Sequence, residues 1–188
     1  MSVIEAANAC ALLDDILALY SCQPTRRRVK RYTPDCVYDD QFVYANDRYK
    51  MAGQRFALPK LFHSSKNEGY QVVKNDPLLI QFENEQTWTF PGNIKSTTIN
   101  ALVSLSLDPT TAESDFIQVK YHKDQANEKD CSHTGPGFAL KKFQADKVAG
   151  MMDSPEVEAF KADARKHNLR EDVRMYGSGT GKASQKSF

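Results

Sequence analysis

The chain has no uninterrupted apolar run of about 18 residues, so no transmembrane helix is expected. It has almost no charge imbalance: 25 Lys and Arg against 24 Asp and Glu leave +1, too little to favour nucleic acid or an anionic membrane. Its opening stretch, "MSVIEAANACALLDDILALY", has no basic start, and Asp14 and Asp15 interrupt the apolar residues, which argues against a secretory signal. No C-x-x-C pair occurs. Cys10, Cys22, Cys36 and Cys131 stand apart and read as free thiols of a reducing compartment. The cytoplasm is therefore the expected setting, with the nucleus also compatible. Cys131 and His133 share a loop, but two potential ligands make no zinc site, and no metal is expected. "GSGTGK" near the end lacks the spacing and the preceding strand of a phosphate loop, so no cofactor is expected either.

What is present suits one soluble domain. The 188 residues are 40% hydrophobic and 26% charged, enough for a sizeable core. Ala9, Leu13, Ile16, Leu17 and Tyr20 recur at helical spacing and predict a first helix over 5–20. "TRRRVKRY" predicts a short second helix with Thr25 as N-cap, Val29 and Tyr32 inward and the arginines outward. That basic run has no interleaved aromatics for stacking on bases, so it reads as a solvated helix face. Thr33-Pro34-Asp35 reads as a turn, Cys36-Val37-Tyr38 as a strand, and "YANDRYKMAG" as a loop or hairpin. "GQRFALPKLFHSS" reads as a helix carrying Phe56, Leu61 and Phe62, with Pro59 awkward inside it.

Three long antiparallel strands are predicted next, over 70–84, 86–108 and 115–123. Pro91-Gly92 marks a bend or bulge in the second. Alternation in the third puts Ile117, Val119 and Tyr121 on one face, and Gln118, Lys120 and His122 on a solvent-directed one. A helix carrying Leu140, Phe143, Val148 and Met151 follows. Another starts at Ser154-Pro155 and buries Val157, Phe160 and Ala164. The Gly/Ser-rich end is expected to be disordered.

Two stretches carry a resemblance. "RYTPDCVYDDQF" resembles the aromatic, turn, Asp, apolar, acidic segment that follows the second helix in the nuclear transport factor 2-like superfamily, and "MAGQRFALPKLF" resembles its Gly-then-helix segment. Within that superfamily, which includes polyketide-cyclase-like proteins, the chain looks most like fungal stand-alone proteins of unknown function. The resemblance implies an α+β cone: a curved antiparallel sheet wrapped around N-terminal helices. It covers roughly residues 5–123. The domain plan is a cone over 1–125, a helical extension over 126–172 and a tail over 173–188.

That fold hosts isomerases, dehydratases, cyclases, transport factors and non-catalytic modules, so function has to come from the site. Asp39 and Asp40 end the first strand and face opposite ways. The resemblance to the steroid isomerase branch makes Asp40 the matching general base, with Tyr20 or Tyr38 as hydrogen-bond donors and His122 as a possible partner. The plain alternative is a strand-end acid that binds backbone amides. No acid stands at the centre of a predicted strand, so the full catalytic set is missing. Tyr38, Trp88, Phe90 and Asn100 are the candidate ligand contacts. Two readings are carried. One is a small-molecule-binding or non-catalytic homodimer, paired through the outer sheet face and binding a small apolar ligand. The other is an isomerase, dehydratase or cyclase with an Asp base. A protein-partner scaffold with an exposed apolar patch is a third.

Overall fold

A computed structural model describes residues 6–93, 95–127 and 133–164. The expected tail over 173–188 lies outside these, as does the end of the helical extension. The first helix, α1 (Ala6–Tyr20), buries Ala9, Leu13, Ile16, Leu17 and Tyr20 together, as its apolar spacing requires. The short α2 (Arg26–Val29) starts at Thr25, whose side chain accepts the Arg28 N–H at 3.2 Å. Arg26 and Arg27 are exposed, as expected, but the run is not solvated along its whole length. Arg27 and Arg31 both reach Asp15 on α1, at 2.9 and 2.7 Å, and Arg31 is almost fully buried. Asp15 is buried, and a buried carboxylate needs such cations beside it.

The strands are β1 (Tyr32–Asp39), β2 (Tyr44–Ala45), β3 (Ser64–Asp76), β4 (Leu79–Thr89), β5 (Ser96–Leu107) and β6 (Val119–Ala126). They form one sheet in the order β2-β1-β6-β5-β4-β3, antiparallel except for the parallel β1–β6 pair. Several boundaries differ from the sequence reading. Thr33-Pro34-Asp35 lies inside β1, where the register against β6 slips between Tyr32 and Val37. The strand expected over 70–84 is a hairpin, β3 and β4. Pro91-Gly92 opens a short 3-10 turn (Pro91–Asn93), with Gly92 at φ 84°, that reverses the chain into β5 rather than bending one long strand.

The helix α3 (Arg48–Leu61) begins earlier than expected, capped by Asp47, which accepts the Lys50 N–H at 2.8 Å. Pro59 falls in its last turn, where loss of one backbone donor is tolerable. On the C-terminal helix α4 (Gly135–Met151), the buried residues are Ala145 and Ala149, while Leu140, Phe143 and Met151 are exposed. The large apolar residues are displaced because α4 packs backbone-close on α3: a Cβ built on Gly53 would lie 2.6 Å from Ala149 Cα. After α4, the short α5 (Pro155–Glu158) starts at Ser154, and Val157 and Phe160 are buried as expected, with Ala164 half-buried. No helix among the described residues is long and apolar enough to cross a membrane.

The Gly53–Ala149 contact makes a prediction with an unusual sign. In an open helix, Gly→Ala stabilises by roughly 1 kcal/mol. Here Gly53→Ala must push α4 away and is expected to cost about 1–3 kcal/mol in urea unfolding. A stabilised variant would show that the two helices do not touch there.

Candidate functional site

Register decides which side chains enter the cone. β4 opposes β5 with Asn84 at Ala101, Gln86 at Ile99 and Trp88 at Thr97, and β5 opposes β6 with Val103 at Asp124 and Leu105 at His122. These residues share the concave face. β6 would not bring His122 there by simple alternation. The ladder runs from Leu107–Val119 to Ser106–Tyr121, so one extra residue, Lys120, is accommodated on β6. That bulge rephases the strand. Val119 and His122 therefore both point inward, and both are fully buried. The solvent-directed reading of His122 is corrected on this ground. β6 also runs on to Ala126, past the predicted end at 123, and so it carries an acid, Asp124, at the cone's inner face.

A chain of hydrogen bonds crosses this face from β1 to α1 to β6. The Tyr32 hydroxyl lies 2.7 Å from His122 Nδ1, and the Tyr20 hydroxyl 2.9 Å from His122 Nε2. Tyr20 donates to Asp124 Oδ2 at 2.6 Å. Its proton is thus committed, and it must accept from His122 Nε2–H, which leaves Nδ1 to accept from Tyr32. Each donor in the chain points toward Asp124. Burial, and then the charge of Arg55, hold the His122 pKa well below the usual histidine range, so the ring is neutral. Burial pushes Asp124 up to about 6; the Tyr20 hydrogen bond and Arg55 work against that rise, and Asp40 adds to it.

Asp40 sits at the rim of the same cavity and is partly exposed. Its Oδ1 accepts the backbone N–H groups of Phe42 and Val43, both at 2.6 Å, and its Oδ2 accepts the Tyr38 hydroxyl at 2.9 Å. Burial raises its pKa, and those bonds oppose the rise. Asp39 faces the other way, fully buried under α4. His133 Nε2 is 2.6 Å from its Oδ2, the Tyr121 hydroxyl donates to the same oxygen at 3.2 Å, and Lys141 Nζ lies 3.4 Å from Oδ1. Lys141 also donates to the Asp40 carbonyl. Of the acid pair, one carboxylate ties down a turn at the cavity and the other ties α4 to the sheet.

The residue that the sequence reading passed over is Arg55. It is on α3, 3% exposed, with its guanidinium carbon 4.8 Å from the Tyr20 ring centre and 4.4 Å from that of Tyr38. Burial disfavours its charge, but Tyr38, Tyr32, Tyr20 and Asp40 around it more than compensate and keep it protonated. Its Nε and Nη2 are buried without a hydrogen-bond partner. The cavity in front has a volume of about 320 Å³. Its polar end is Tyr20, Tyr38, Asp40, Arg55 and Asp124; Phe62, Trp88, Phe90, Ile99 and Ala101 make its apolar walls. Phe62 packs on Trp88 and Phe90 with ring centres 4.7 and 5.3 Å apart. Asn100 is not there. It opposes Glu85 on the outer face, is exposed, and borders a polar groove with Glu83 and Gln125. Among the described residues, no group of three His, Cys, Asp or Glu is arranged to hold a metal ion.

A six-stranded curved, unclosed sheet folded over helices is the nuclear transport factor 2-like fold, and the chain has it. An NTF2-like protein from Anabaena variabilis ATCC 29413 superposes with a TM-score of 0.54 at 12% identity, over 67% of this chain and 94% of that one. AusH from Aspergillus nidulans superposes with a TM-score of 0.50 at 12% identity, over 77% of this chain and 97% of that one. No family profile matches the sequence, and no curated protein matches it.

The Asp124 environment can be checked directly. Carbon-detected NMR titration of the side-chain carboxyl should give a midpoint near 6. A midpoint in the ordinary aspartate range, about 3.5–4, would mean that water reaches the group freely.

Proposed function

We propose that the protein is an enzyme that moves a proton on a small, largely apolar molecule, in the manner of an isomerase, dehydratase or cyclase, with Asp124 as the base. The observation that carries this reading is the directed chain from Tyr32 through His122 and Tyr20 to Asp124, ending at a cavity of about 320 Å³. That volume reaches the lower end of the range for small-molecule sites. The purely non-catalytic reading rested on the lack of an acid at a strand centre, and Asp124 supplies one.

The chemistry follows from the groups. A carboxylate with a pKa of about 6 is mostly ionised at neutral pH and yet holds a proton well enough to take one from carbon beside a carbonyl. The C–H electron pair becomes the enolate C=C bond, and the carbonyl π pair moves to oxygen. The positive charge of Arg55 offsets the anion formed, in a cavity where a charge interaction is weakly screened. Asp124 then returns the proton to another carbon in an isomerisation, or to a departing hydroxyl, released as water, in a dehydration. Tyr20 and His122 hold Asp124 and restore its hydrogen bond when it is ionised. Asp40, whose oxygens are already engaged by Phe42, Val43 and Tyr38, positions the rim rather than carrying the proton.

The test is exchange of the α-protons of 2-tetralone in D2O, followed by NMR. The protein should accelerate exchange above the buffer rate, and Asp124→Asn should lose about 100-fold or more of that acceleration, while Asp40→Asn retains most of it. Exchange at the buffer rate, or an unaffected Asp124→Asn, contradicts the reading.

A further inference from the structure

Arg55 carries a feature that proton transfer by Asp124 does not use. A guanidinium presents its Nε–H and one terminal N–H along a single planar edge, spaced to meet the two oxygens of a carboxylate side-on. In Arg55 the two buried atoms without a partner are Nε and Nη2, the pair on that edge. The residue lines the cavity, with the ring centres of Tyr20 and Tyr38 at 4.8 and 4.4 Å from its guanidinium carbon. The acids nearby do not fill it. Asp40 is held by Phe42, Val43 and Tyr38, and Asp124 accepts from the Tyr20 hydroxyl. Buried polar groups are normally paired, and an unpartnered pair of donors on a residue that lines a cavity points to a ligand's acceptor.

We infer that the molecule bound in this cavity carries a carboxylate, held side-on by the Nε and Nη2 edge of Arg55, with its apolar part against Phe62, Trp88 and Phe90. This rests on the reading that the cavity takes a small molecule, and it names the substrate class: an apolar acid whose reacting carbon lies within a few bonds of the carboxylate. Arg55 then anchors the substrate, and its charge still acts on the enolate formed beside the anchor. A single-oxygen ligand would leave one of the two donors unanswered.

The experiment is calorimetric titration of the protein with 2-naphthoate and with 2-naphthamide, which share a shape and differ in charge. The wild-type protein should bind the carboxylate at least about 10-fold more tightly than the amide, a difference of about 1.4 kcal/mol. Arg55→Met keeps the apolar stem and should abolish the preference. Arg55→Lys keeps the charge without the fork and should retain only part of it, and it serves as the test if the methionine variant does not fold. Equal binding of the two probes, or a preference unchanged in the variants, overturns the inference and leaves the small-molecule cavity standing. Binding of neither probe at about 1 mM overturns both.

Discussion

A histidine with no exposed surface has to be neutral in this fold, and a neutral imidazole has one nitrogen that donates and one that accepts. That constraint organises the interior of the cone. His122 lies between two tyrosine hydroxyls, and the one near Nε2 donates its hydrogen bond to Asp124. The direction of every bond in the chain then follows. α1, β1 and β6 meet through this chain, so the same contacts that join the first helix to the sheet also orient the acid at the cavity.

The second constraint is the burial of Arg55. Leaving a buried donor unanswered costs about 1–3 kcal/mol, and more for a charged group. Two tyrosine rings and a shell of phenolic oxygens and carboxylates offset part of that cost. The remainder is held in place by the packing of α3 against the sheet and α4, with Gly53 letting α4 approach within backbone contact. Regions of strain and unpaired charge of this kind persist where a site needs them. Asp39, itself fully buried, ties the same helix to β1 through Lys141, with His133 on its other oxygen.

Much of the architecture was legible in the residues. The α1 stripe, the Thr25 and Ser154 caps and the buried Val157 and Phe160 follow from spacing and capping chemistry alone. Trp88, on β4, and Phe90, just past its end, both border the cavity. The rest was hidden by local events that periodicity does not record. One extra residue, Lys120, turned His122 from the apparent outer face to the inner one. Asp124 stands in a polar run, "KDQANEKD", that reads as loop, although it is paired to Val103 in the sheet. Arg55 is a basic residue in a helix, which by composition belongs on the surface. Its burial depends on aromatic partners from α1 and β1, distant in sequence. On α4 the apolar residues Leu140, Phe143 and Met151 lost the interface to alanines, because close helix approach favours small side chains.

The direction of the chain into Asp124 is read most directly by nitrogen-15 NMR of the His122 ring at pH 7. A neutral imidazole with its proton on Nε2 and Nδ1 unprotonated is the predicted result. A proton on Nδ1 alone would contradict it, because Tyr20 would then donate to Nε2 and not to Asp124; an imidazolium with both nitrogens protonated would contradict the neutral ring.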